Sequence, residues 1–256
     1  MLLYLIRHAE STNNELYTLT GGSDGRSADP PLTELGHRQA QRLARFLAAP
    51  LIDPPDGEPP LLSDFIARHD RRGFGLTHLY CSLMTRAIQT GSYIATATGL
   101  PISGWINVHE HGGLHHIDEE TGEDIGLPGP GRAWFEAEYP HLSLPDNLGE
   151  LGWWNRPKET ITEARARARA VWAEILDRHG NTDDRVAIVT HGGFFQSLLI
   201  ALISDEDSIS IPILEHANMG FGMSNASISR FEVSNGRIVA RYINRADHLP
   251  DELITG

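Results

Sequence analysis

Met1-Leu2-Leu3-Tyr4-Leu5-Ile6, followed at once by Arg7-His8-Ala9-Glu10, is the stretch on which the fold turns. An apolar run of strand length that breaks abruptly into charged residues reads as a buried strand ending at a polar rim. The same grammar recurs along the chain. Thr77–Ser82 and Pro101–Val108 read as further strands, and Val186–Thr190 as a buried one running into His191-Gly192-Gly193. Helical patterns lie between them. Thr33 caps a helix that runs to about Ala48, with Ala40, Leu43, Ala44 and Leu47 on one face. Ala87, Ile88, Gly91 and Ile94 mark the next. Thr160-Ile-Thr-Glu163 is a capping box for a third, whose buried face carries Ala164, Ala168, Val171 and Ile175. Arg165, Arg167, Arg169 and Arg178 of that helix read as a solvated surface. Phe194–Ile203 is an apolar helix, and Asn235-Gly236 turns a terminal hairpin between Ser227–Val233 and Ile238–Asn244. Glu10–Pro31 reads as a polar, glycine-rich connection.

Strands alternating with helices predict an α/β fold: a three-layer α/β/α sandwich with a mostly parallel central sheet and an inserted cap region. The chain of 256 residues reads as one domain, 1–256, with insertions at about 49–75 and 111–159. The first is broken by Pro50, Pro54, Pro55, Pro59 and Pro60, with a short helix expected at Ser63–His69. Lys+Arg 21 against Asp+Glu 34 leaves a net charge of −13, which excludes the broad positive field that nucleic acid or an anionic membrane would need. Cys81 is the single cysteine, so neither a disulfide framework nor a cysteine-rich zinc site is possible. No apolar run approaches the ~18 residues of a membrane span, and Met1–Ile6 is too short for a signal core, so a cytoplasmic protein is expected. A homo-oligomer stays open.

In parallel sheets ligands sit beyond the carboxyl ends of strands. The residues there are Arg7 and His8, with Asn14 close behind; Ser82 to Arg86; His109, Glu110 and His111; and His191 with Gly192. Such a set suits a phosphate monoester. Arginine supplies charge-assisted donors to its oxygens. A histidine can attack its phosphorus, and a carboxyl group can protonate the departing oxygen. A helix beginning at Gly192 would add backbone N–H donors.

Leu5-Ile-Arg-His-Ala-Glu-Ser-Thr12 resembles the signature of the histidine phosphatase (phosphoglycerate mutase-like) superfamily. Pro31-Leu-Thr-Glu-Leu-Gly36, Ser82-Leu-Met-Thr-Arg-Ala-Ile-Gln-Thr90 and Val189-Thr-His-Gly-Gly193 match in the same order. Ala9 replaces the usual glycine. The resemblance implies His8 as a nucleophile that forms a phosphohistidine and Glu110 as the general acid. It implies Arg7, Arg86 and His191 as catalytic phosphate-pocket donors, with Asn14 and Gly192 also binding phosphate or substrate. It implies no metal and no cofactor, and a small phosphorylated substrate as the partner. The two arginines should help keep His8 neutral.

Three readings follow. The first is a phosphomonoester hydrolase of the phosphatase branch. The second is a cofactor-dependent phosphoglycerate mutase, disfavoured because Arg132 is the only basic Arg or Lys between His111 and Leu151. The third is a non-catalytic binding module on the same fold. His111, His115, His116, Asp118, Glu119 and Asp124 read as a solvated acidic loop rather than a metal site. Trp153 and Trp154 are either substrate contacts or anchors of the insertion. Ser82 either orients the pocket or caps a helix, and Cys81 is a small buried residue.

Overall fold

In the computed structural model, which describes residues 1–22, 24–118, 120–203 and 220–256, the sheet forms around that first strand. Strand β1 (Leu2–Arg7) pairs in parallel with β7 (Arg185–Thr190), and β7 with β2 (His78–Cys81). Further out lie β3 (Ile102–Gly104) and β6 (Leu142–Ser143), both parallel. On the other flank β8 (Ile228–Ser234) and β9 (Arg237–Arg245) form the hairpin and run antiparallel. The order of this seven-stranded sheet is β6-β3-β2-β7-β1-β8-β9.

Successive side chains of a strand point to opposite faces, and the helices divide accordingly. Tyr4 and Ile6 of β1 pack with Leu43 and Leu47 of α2 (Glu34–Leu47) and with Ile88 of α4 (Thr85–Thr98). Leu3 and Leu5 pack with Val171 and Ile175 of α6 (Ile161–His179) and with Phe194 and Leu198 of α7 (Gly192–Ile203). These are the two outer layers expected of the sandwich. Among the described residues no helix is long and apolar enough to cross a membrane.

Several local expectations shift. Part of the polar connection is helix α1 (Thr12–Thr20), closed by a capping box between Ser11 and Asn14. It buries only Asn13, so it has no apolar stripe by which periodicity could reveal it. Helix α3 (Pro60–Ala67) starts earlier than expected, because Pro60 serves as its first residue. The third strand is only three residues long and gives way to a 3₁₀ turn at Ile106–Val108. The second insertion contains a hairpin of β4 (His115–Ile117) and β5 (Asp124–Gly126), helix α5 (Arg132–Glu138), and the edge strand β6.

Candidate active site

The carboxyl ends of β1, β2 and β7 gather the predicted residues. His8 follows β1 and is buried, with its ring centroid 5.1 Å from that of His191, which follows β7. Its Nδ1 lies 2.7 Å from the carbonyl of Ala9. A carbonyl only accepts, so Nδ1 carries the proton and Nε2 keeps its lone pair. Arg86, in the first turn of α4, donates from Nε to that Nε2 at 3.1 Å. Burial, then Arg86, then Arg7, hold His8 well below the ordinary histidine pKa. The arginines therefore act as expected, but the dry surroundings contribute more. His191 is held low in the same way, by burial first and then Arg86.

Buried polar nitrogens around His8 lack hydrogen-bond partners among the described residues: the donors Arg7 Nε and Arg86 Nη1, and both ring nitrogens of His191, of which the neutral ring makes one a donor. Arg7 spends Nη1 on the carbonyl of Met223. Buried polar groups left unpaired cost on the order of 1–3 kcal/mol each, so such a cluster marks a place built for an acceptor-rich ligand.

Glu110 reaches the same rim from the 3₁₀ turn. Its Oε1 accepts from the backbone N–H of His111 at 2.8 Å and of Phe194 at 3.0 Å. One N–H of the α7 amino terminus thus holds this carboxyl group. Both bonds go to Oε1, which leaves Oε2 for other contacts. A Cβ on Gly193 would lie 2.6 Å from Glu110 Oε1, whereas one on Gly192 would meet only Arg7 Nε, at 3.7 Å. Gly193 is therefore the glycine the carboxyl group requires.

Asn14 sits just beyond this cluster. Its Oδ1 accepts from Ser11 N at 3.1 Å, Ser11 Oγ at 2.9 Å and Asn225 Nδ2 at 3.3 Å. Asn225 Nδ2 also reaches the carbonyl of His8, at 3.2 Å. Asn225 thus joins the group, a residue that sequence reading does not place at the site. The Pro31–Gly36 motif has a mechanical explanation. Thr33 donates to Glu10 Oε1 at 2.7 Å, and a Cβ on Gly36 would fall 2.0 Å from the Glu10 carbonyl. The motif seats α2 directly against the loop behind His8. Asp29 accepts from the N–H and hydroxyl of Thr85 and lies 3.8 Å from Arg86.

Arg167 corrects the reading of α6 as carrying only solvated arginines. It is buried, donates to both oxygens of Glu159 (2.7 and 2.6 Å), and reaches the carbonyls of Asn107 (2.7 Å) and His109 (3.1 Å). It clamps the turn that presents Glu110. Trp153 and Trp154 are buried against His109, with ring centroids 5.5 and 4.8 Å away, and so anchor the insertion. Ser82 Oγ accepts from the N–H of Met84, the residue just before α4, and Cys81 is fully buried with its thiol pKa pushed up. His115 pairs with Asp124 at 2.8 Å, which pairs with Lys158 at 3.0 Å. Among the described residues the acidic stretch brings no three metal-ligating side chains together; Glu119 lies outside them.

The model of the histidine phosphatase superfamily (branch 1) matches residues 3–55 and 66–246. The chain belongs to this superfamily. A 2,3-bisphosphoglycerate-dependent phosphoglycerate mutase of Leifsonia xyli subsp. xyli is 27% identical over 235 residues, 82% of this chain and 81% of its own. A mycobacterial glucosyl-3-phosphoglycerate phosphatase superposes with a TM-score of 0.55 at 18% identity, covering 96% of this chain and 99% of that one. A phosphoserine phosphatase of Entamoeba histolytica does so at 0.53 and 18%, covering 97% and 99%. At such identities the structural likeness establishes the fold.

Proposed function

We propose that this superfamily member is a phosphomonoester hydrolase acting through a phosphohistidine on a small phosphorylated metabolite, without a metal ion. The observation that carries the reading is His8: buried, neutral, its Nε2 lone pair facing Arg86, and ringed by the unpaired donors of Arg7, Arg86 and His191. In the first step Nε2 bonds to phosphorus as the ester P–O bond breaks, and Glu110 gives its proton to the departing oxygen. In the second, water attacks the phosphohistidine, Glu110 takes up a proton from it, and phosphate leaves. Arg7, Arg86 and His191 hold the transferring oxygens, where fixed donors in a dry site count most. In this reading Asn14 and the N–H of Gly192 supply further contacts to phosphate or substrate.

Hydrolysis is favoured over transfer between two anionic substrates by the way the insertion uses its cations. Arg132 donates to the carbonyls of Leu148 and Pro145, Lys158 pairs with Asp124, and Arg156 stacks on Trp154. The names of the two phosphatases of like fold support a small phosphorylated substrate. The mutase relative keeps phosphoglycerate transfer as the second reading. A panel of phosphorylated metabolites with and without 2,3-bisphosphoglycerate separates the two: a hydrolase releases phosphate without it. His8→Ala should remove both the acid-labile, base-stable phosphate on the protein and turnover, a loss on the order of 10⁴-fold or more. Persistence of that label on the variant would overturn the assignment.

A further inference from the structure

Behind the sheet, at the amino ends of the strands whose carboxyl ends carry the site, a second group of side chains converges. His78 opens β2, Asp184 immediately precedes β7, and His179 closes α6. One ligand-type atom from each lies within 4.8 Å of the others, the only such trio among the described residues. His179 Nδ1 is 2.8 Å from Asp184, and His78 Nδ1 is 3.8 Å from the other oxygen of that carboxylate. His78 is thus brought from far along the chain to the His179–Asp184 loop, and the three present two imidazoles and a carboxylate to one point, a donor set typical of zinc.

Two further features fit a metal-binding arrangement. The Nε2 of His179 lies 3.1 Å from the hydroxyl of Tyr80. A histidine that binds a metal through one nitrogen orients itself by donating from the other, and Tyr80 stands where it would accept. The loop between His179 and Asp184 is also pinned from within: Thr182 Oγ1 donates to the His179 carbonyl at 2.9 Å and accepts from Asp184 N at 3.1 Å. These bonds fix two of the three donors before any ion arrives.

We propose that His78, His179 and Asp184 bind one zinc-like divalent ion, with water as the fourth ligand, at the edge of the sheet opposite the catalytic residues. Zinc–ligand lengths near 2.1 Å put tetrahedral ligands about 3.4 Å apart. The buried His179 and its bonded Asp184 are nearly there, and the more exposed His78 closes the set by swinging inward. The ion would tie the start of β2 to the start of β7 and the end of α6. It takes no part in phosphate chemistry.

The test uses the full chain stripped of metal with a chelator, then titrated with Zn²⁺ by calorimetry and with Co²⁺ by visible absorption. One ion per chain is expected, with a tetrahedral Co²⁺ spectrum and a Tm raised by about 5 °C at a hundredfold excess over Kd. His78→Ala, an exposed substitution that leaves the core intact, should abolish the spectrum and weaken Zn²⁺ binding at least ~10-fold. Tyr80→Phe should weaken it ~10-fold by loosening His179. Release of phosphate from p-nitrophenyl phosphate should be equal in the stripped and loaded protein. No stoichiometric binding, equal affinity in His78→Ala, or binding displaced by orthovanadate would each overturn the proposal. Displacement would put the ion on His8 and His191 instead.

Discussion

The two insertions look alike in sequence and do opposite things in the structure. Residues 49–75 precede β2, and α3 within them buries none of its residues. Residues 111–159 follow Glu110, bury Leu114, Phe135, Trp153 and Trp154, and add β6 to the sheet. Position in the topology explains the contrast. An insertion after a strand's carboxyl end begins at the ligand-binding edge of a parallel sheet, while one before a strand's amino end starts from the opposite edge. The first insertion should therefore govern stability where it is anchored and little where it is not. The second should govern chemistry.

The largest effect should come from Glu110, the residue immediately before the second insertion. Glu110→Gln keeps the shape and removes the transferable proton. General acid catalysis contributes ~10²–10⁴-fold. The loss in kcat/KM should be of that size for an alkyl phosphate, whose alkoxide needs a proton. It should be much smaller for p-nitrophenyl phosphate, whose phenolate leaves unaided. Equal losses on the two substrates would mean that Glu110 does not deliver the proton.

The anchor of the first insertion gives the next largest. Asp70 is buried at its base, accepts from Tyr4 Oη at 2.8 Å and Tyr242 Oη at 2.7 Å, and pairs with Arg230 at 2.7 Å. Asp70→Ala leaves two hydroxyls without their acceptor and takes from the buried Arg230 one of its two carboxylate partners, Glu232 being the other. Removing one partner of a buried pair costs about 3–5 kcal/mol. Urea unfolding should register that loss, while KM for the folded enzyme stays unchanged. A shift in KM would mean that this insertion reaches the site after all.

Gly193→Ala should act between these regimes. Its methyl group would press on Glu110 Oε1, so activity on alkyl phosphates should fall by roughly 10–100-fold through misplacement of the acid. Gly192→Ala, which meets only Arg7 Nε at ordinary contact distance, should be nearly silent. If Gly192→Ala is the more damaging, open space for phosphate before the α7 amino terminus, and not the seating of Glu110, is what the glycine pair protects.

What could be read in the chain followed from locality. Arg7, His8, Glu110 and His191 each stand next to the end of a strand or strand-like run, so finding the runs found the site, and the strand grammar carried the sheet with it. Asn225 and Gly36 act across the fold, on the carbonyls of His8 and Glu10; the resemblance marks the Pro31–Gly36 motif, but the contact it makes is not legible in the residues themselves. Arg167 was a different case. It lies three residues after Ala164 and four before Val171, on the apolar stripe of α6, so periodicity placed it inward while its charge argued outward. The acid that settled the conflict, Glu159, stood just before the helix. Helix α1 and strand β6 escaped notice for physical reasons: one has no apolar face, and the other is two residues long.

The smallest effect tests the far end of the first insertion. Helix α3 exposes Leu61 (64%), Leu62 (48%) and Phe65 (51%), although its composition is apolar. Truncating a core phenylalanine costs about 3–5 kcal/mol, because it removes buried area and leaves a cavity. Phe65 has no core to leave a cavity in; its one ring contact among the described residues is with the Arg68 guanidinium, 5.5 Å from the ring centroid. Phe65→Ala should therefore change stability by no more than about 0.5 kcal/mol, the range of ordinary surface substitutions. For a chain of this length that moves Tm by roughly 1–2 °C, and kcat/KM should be untouched. The measurement should be made at two protein concentrations tenfold apart. A loss above about 1 kcal/mol that grows with concentration would mean that the wild-type face is covered by a second copy of the chain. It would also mean that the first insertion contributes through assembly what it does not contribute to the fold.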